Sequence, residues 1–131
     1  MKENNYKNER DVAEHYFLTI TDWLAEQGIK VEGWQEVSTG HSDDYNAKVN
    51  PMLAGVNVWS TIGSRDTIAY SLANRGVPVI LSNVGNLYLD MVYRMHEYEN
   101  GLTWGGCVDE ITSFETLPFN IYRSVRTAYN G

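Results

Sequence analysis

The segment Val77–Ser82 (VPVILS) is nearly all apolar. That is the pattern of a parallel strand buried on both faces, because a strand covered on one side alternates instead. Two other short strands precede it, Ile29–Trp34 (IKVEGW) and Gly55–Ser60 (GVNVWS). Helical stretches separate them. Val12, Tyr16, Ile20 and Leu24 recur every four residues, and the helix they describe ends near Gly28. Asp11 and Glu14 have the spacing of a capping box at its start. A second helix takes Ser64 as its N-cap, carries Ile68 and Leu72 on one face, places Gly76 at its C-cap and is stopped by Pro78. Strands alternating with helices imply an α/β fold with a parallel sheet and right-handed crossovers.

The remaining stretches are less periodic. Residues 1–9 are rich in Asn, Lys and Glu and read as a flexible N-terminal segment ahead of one domain over residues 10–131. Val37–Pro51 is polar and reads as a loop, or a loop with a short helix. Met91–Pro118 shows little clear period and ends in a loop, and Phe119–Ala128 (FNIYRSVRTA) reads as a terminal helix. A chain of 131 residues can hold one domain with a sizeable core. It falls short of the roughly 250 residues of a complete (β/α)8 barrel.

A net charge of -7 argues against nucleic acid or an anionic membrane as partner, and for a neutral or cationic ligand. The single cysteine, Cys107, makes no internal disulfide and leaves the redox compartment open. No run of about 18 apolar residues is present to span a membrane. The first ten residues lack the apolar core of a signal peptide, so the sequence leaves localisation open, a secreted, periplasmic or lysosomal parent included.

Three places stand out because ligands bind beyond the carboxyl ends of strands in parallel α/β sheets. Trp34, Trp59 and the Tyr88–Asp90 pair all fall there, and Trp104 follows a short way on. A pyranose offers an apolar face for stacking and hydroxyls at its rim, so aromatic side chains beside carboxylates suit a sugar site.

The order Asn86-Leu87-Tyr88-Leu89-Asp90, then Gly101-Leu102-Thr103-Trp104-Gly105, with Gly33-Trp34-Gln35-Glu36 and Val58-Trp59 upstream, resembles the C-terminal half of the catalytic barrel of glycoside hydrolase family 20, the β-N-acetylhexosaminidases. The resemblance runs from about Asp11 to Pro118. It implies a partial (β/α)8 TIM barrel of about three β/α units, acting without a cofactor on a glycan ending in an N-acetylhexosamine, with the N-terminal half of the barrel as the missing partner. It also implies a substrate-assisted, retaining mechanism, one of the exceptions to the two-carboxylate rule. Tyr88 then matches the tyrosine that hydrogen-bonds the acetamido oxygen, and Asp90 an aspartate that binds sugar hydroxyls. Trp34 and Trp59 match walls of the N-acetyl pocket, Trp104 a loop tryptophan on the hydroxyl side, and Glu36 a carboxylate that orients its neighbours. The family's catalytic Asp-Glu pair sits in a His-x-Gly-Gly-Asp-Glu type motif, which this sequence does not contain. The isolated chain is therefore expected to be inactive.

Each of these residues has an ordinary structural alternative, from core tryptophans to a loop carboxylate at Asp90. Asp109-Glu110 follows no apolar strand and reads as unrelated to catalysis. His15, His41 and His96 share no spacing that suggests a metal set. The Gly101–Gly106 stretch opens no strand-to-helix turn for phosphate. Three rival readings remain: a lectin-like module using the aromatic platform, a domain that self-associates through exposed strand edges, and a small flavodoxin-like domain with an unrelated ligand.

Overall fold

The computed structural model describes residues 6–62, 65 and 67–116. Along them run α1 (Glu9–Glu26), β1 (Val31–Trp34), a 3-10 turn (Gln35–Val37), α2 (Asp43–Val49), a second 3-10 turn (Asn50–Met52) and β2 (Leu53–Val58). α3 (Ile68–Asn74), β3 (Val79–Leu81), α4 (Val84–Leu87) and α5 (Glu110–Phe114) follow. The expected N-cap Ser64 and the expected helix over 119–128 lie outside the described residues.

The strands form one sheet in the order β1-β2-β3. β1 and β2 are parallel, with Gly33 opposite Val56 and Trp34 opposite Asn57. The Val56 amide donates to the Pro78 carbonyl and the Ser82 amide to the Val58 carbonyl, both at 2.9 Å, the advancing pattern of a parallel pair. The fold is thus α/β with three parallel strands in an open sheet, as the alternation of strand and helix patterns implies. β2 begins two residues earlier than its sequence pattern suggests, so Trp59 follows the strand.

Both helices that lead into a strand end alike. The Ile29 amide bonds the Leu24 carbonyl at 2.9 Å and the Gly28 amide the Ala25 carbonyl at 2.9 Å; Val77 and Gly76 repeat this with Leu72 and Ala73 at 3.1 and 2.9 Å. Gly28 and Gly76 take φ of +72° and +76°. These are two Schellman motifs, which satisfy the last carbonyls and turn the chain into β1 and β3.

The start of α1 differs from its sequence reading. Asn8 is the cap: its side-chain oxygen accepts the Asp11 amide at 3.0 Å, and the Asp11 carboxylate accepts the Lys7 amide at 2.9 Å. The three-residue spacing occurs twice in succession, and Glu14 is engaged elsewhere. Tyr16 also departs from the proposed apolar face, at 65% exposed, whereas Thr21 is buried and returns its hydroxyl to the carbonyls of Phe17 and Leu18.

Two compact units emerge. The first holds the described residues up to Asn57 together with Leu72–Ile80. Its buried side chains include Tyr45, Val49, Leu53, Val56, Leu72 and Val77, and α1 packs on α2 and the turn after it. The two-sided burial expected of β3 is not found there, because Ile80 remains 37% exposed on an uncovered sheet face, beside exposed Glu32 and Trp34. The second unit holds Val58–Ser71 and the described residues from Leu81 onward. Val84, Met91 and Val108 form its core cluster, with Trp59 and Tyr88 packed against it. The 91–118 stretch, with little period and a loop expected at its end, contains the short helix α5, whose cap is Asp109.

Candidate functional site

The second unit gathers three aromatic side chains that the sequence spreads over three segments. Just past β2, Trp59 accepts the Val84 amide on its carbonyl at 3.0 Å, which ties it to the first residue of α4. α4 is a single turn, and Tyr88 follows it directly. The chain then doubles back: the Leu102 amide donates to the Asp90 carbonyl at 2.8 Å and the Val92 amide to the Leu102 carbonyl at 2.9 Å, forming a parallel bridge between Met91 and Leu102. That return lays Gly105 against the core. A Cβ there would stand 2.5 Å from Val84 Cγ2 and 2.8 Å from Met91 Sδ, so only glycine allows the approach.

Trp104 is thereby fixed edge-on to two rings. Its centroid lies 5.8 Å from Trp59 at an interplanar angle of 83°, and 6.1 Å from Tyr88 at 85°. Both are favourable T-shaped contacts between a ring edge and a ring face. Trp104 stays 49% exposed while Trp59 and Tyr88 are half-buried, and Asp90 is exposed two residues beyond Tyr88. The arrangement presents the ring surfaces of two indoles and a phenol, with the Asp90 carboxylate two residues beyond Tyr88. No group of three or more His, Cys, Asp or Glu side chains among the described residues could hold a metal ion.

A cavity of about 180 Å³ opens beside the tryptophans, lined by Trp59, Ser60, Ile62, Arg65 and Trp104. Arg65 escaped the sequence reading. No pattern in the sequence singles out this arginine, six residues after Trp59.

Trp34 and Glu36 belong to the first unit. Trp34 ends β1 with its indole 51% exposed. Glu36 is exposed on the following 3-10 turn, and its carbonyl oxygen lies 2.8 Å from His41 Nε2. There Glu14 of α1 is the hub, since its carboxylate accepts the Ser42 amide at 2.9 Å and hydroxyl at 3.0 Å, with His41 Nδ1 at 3.2 Å. Burial pushes the Glu14 carboxyl up, but the Ser42 and His41 hydrogen bonds outweigh it and hold the group below the ordinary glutamate range. Burial, with the Glu14 charge adding to it, pushes the Tyr45 phenol up to about 12. In the second unit, hydrogen bonds from the Thr112 backbone and side chain hold Asp109 below the ordinary aspartate range.

Residues 1–129 match the family model of the glycosyl hydrolase family 20 catalytic domain. The chain belongs to that family. Solved structures with a similar fold are also family 20 enzymes. An inactive mutant of the exo-β-N-acetylglucosaminidase from Vibrio harveyi aligns at a TM-score of 0.70 and 21% identity, over 95% of this chain and 19% of that one. The β-N-acetylhexosaminidase from Streptomyces coelicolor aligns at 0.61 and 22%, over 88% and 22%. A mutant Streptomyces plicatus β-hexosaminidase, in complex with its product GlcNAc, aligns at 0.64 and 21%, over 92% and 23%. The chain thus spans about a fifth of the length of these family 20 structures. The three parallel strands are a partial family 20 barrel.

Proposed function

We propose that this chain forms the substrate-holding side of the catalytic barrel of a retaining β-N-acetylhexosaminidase that removes terminal GlcNAc or GalNAc from glycoconjugates or chitin oligomers. The observation that supports it most is the packing of Trp59, Tyr88 and Trp104 into one corner with Asp90 two residues away.

In a substrate-assisted reaction the acetamido oxygen of the sugar attacks its own anomeric carbon, closing an oxazolinium ring as the leaving oxygen departs. The Tyr88 hydroxyl donates to the acetamido group during that step. A phenol suits this role because it ionises only near pH 10 and stays a donor at neutral pH. Asp90 accepts from sugar hydroxyls on the far side of the ring, and Trp59 and Trp104 bound its apolar face. In its own unit, Trp34 offers an exposed indole as a further apolar wall and Glu36 a carboxylate that orients its neighbours.

Protonation of the leaving oxygen falls to the glutamate of an Asp-Glu pair in a His-x-Gly-Gly-Asp-Glu type motif, which this sequence does not contain. Asp109-Glu110 does not replace it, since the Asp109 carboxylate accepts the Thr112 amide at 2.7 Å as the cap of α5. The pure 131-residue chain is expected to leave an aryl β-N-acetylglucosaminide unhydrolysed above blank, while GlcNAc perturbs the Trp59 and Trp104 indole signals with a dissociation constant of roughly millimolar order. Turnover above blank would refute the division of labour, and indole signals unmoved by saturating GlcNAc would refute the sugar site.

A further inference from the structure

We propose that Arg65 makes the cavity beside Trp59 and Trp104 selective for N-acetylhexosamine units that carry an anionic group, a sulfate ester or the carboxylate of an attached acidic sugar. The proposal deepens the function proposed above and rests on it for the sugar ring.

The volume limits what enters. About 180 Å³ is well below the ~300–1,000 Å³ of pockets that enclose whole drug-sized ligands, so the cavity takes a ring edge or a substituent. Trp59, Ile62 and Trp104 supply apolar walls, and Arg65 is the only charged side chain among the described residues that line it. Arg65 is exposed and forms no ion pair among the described residues. The net charge of -7 argues for neutral or cationic ligands over the surface at large, and this cavity is a local exception because Arg65 lines it. A guanidinium stays charged at any working pH, and its planar fork matches two oxygens of a sulfate or carboxylate at once. A neutral hydroxyl offers the same fork a single acceptor and no charge. The rigid tryptophans beside it would set the ring so that one substituent points at that fork.

The test follows the indole N–H resonances of Trp59 and Trp104 in the ¹⁵N-labelled chain at low ionic strength. Ligands are GlcNAc, GlcNAc 6-sulfate, a glucuronic acid–GlcNAc disaccharide and inorganic sulfate, each titrated into wild type, Arg65→Gln and Arg65→Lys. The expected result is about tenfold tighter binding of at least one anionic sugar than of GlcNAc. That ratio falls to near one in Arg65→Gln, is partly kept in Arg65→Lys and shrinks as salt screens the charge. The two anionic sugars separate a sulfate reader from a carboxylate reader. Equal binding of neutral and anionic sugars by wild type would overturn the proposal and leave the sugar site standing. A preference that persists in Arg65→Gln would overturn it as well. Arg65-dependent binding of anionic ligands with GlcNAc silent would support the anion site and overturn the sugar site, and no response to any ligand would overturn both.

Discussion

Trp104 meets two partners at once, and its position depends on a neighbour with no side chain. Edge-to-face pairs contribute about 0.5–1.5 kcal/mol each beyond area burial, so the Tyr88–Trp104 contact at 6.1 Å is measurable. A double-mutant cycle of Tyr88→Leu and Trp104→Leu, read by urea denaturation, is expected to return a coupling in that range. Additive losses would mean that the rings touch without stabilising one another. Gly105→Ala is expected to cost about 1–3 kcal/mol, because the new methyl meets the packed Val84 and Met91 side chains. The same variant should reduce the indole response to GlcNAc, since Trp104 is displaced with its neighbour. The residue types at these places are legible in the sequence: Tyr88-x-Asp90 and Leu-Thr-Trp-Gly-Gly are recognisable strings. Arg65 was not legible, because an arginine in a loop carries no pattern until the fold shows what it lines.

At the scale of elements, the capping residues carry most of the local information. Gly28 and Gly76 mark the ends of α1 and α3 because a Schellman motif is built within six consecutive residues, and a short stretch of chain contains all of it. α5 is five residues long, too short for an apolar period to show, so its only sequence sign is the Asp109 cap. Asp109→Ala is expected to lower stability and the helical signal of α5, whereas Asp109→Asn keeps an acceptor for the Thr112 amide and should retain most of both. An Asp109→Asn protein that behaves like Asp109→Ala would show that the charge, not the cap, is what counts. Glu14 presents the opposite case. Its place in α1 looks like part of that helix's own capping box, yet the carboxylate holds Ser42, the N-cap of α2, across 28 residues of sequence. Local spacing cannot distinguish the two uses.

For the whole molecule, the shifted groups define a stability profile with two limbs. Glu14 and Asp109 have depressed carboxyls, so their contribution is present above the ordinary range and is lost as pH falls through about 4 and below. The Ser42 and His41 hydrogen bonds to the Glu14 carboxylate are the source of its part of that acid limb, which Glu14→Gln should flatten while lowering stability near neutrality. Tyr45 has a raised phenol, so its neutral form is maintained below about 10 and stability declines as pH rises toward about 12. Urea midpoints measured from pH 3 to 11 test both limbs, and a Glu14→Gln profile as steep in acid as wild type would remove Glu14 as its source. The sequence alone determined the order of the three strands with α1 and α3, the glycine ends of those two helices, the α/β class and the resemblance to family 20, because all of these are written in periods and short motifs along the chain. Only the tertiary structure decided that Trp104 stands edge-on to Trp59 and Tyr88, that Arg65 lines their cavity, that Glu14 serves α2 and that one face of β3 is uncovered. Those are contacts between segments distant in sequence, and they are set by which surfaces pack together, a competition that local propensity does not encode.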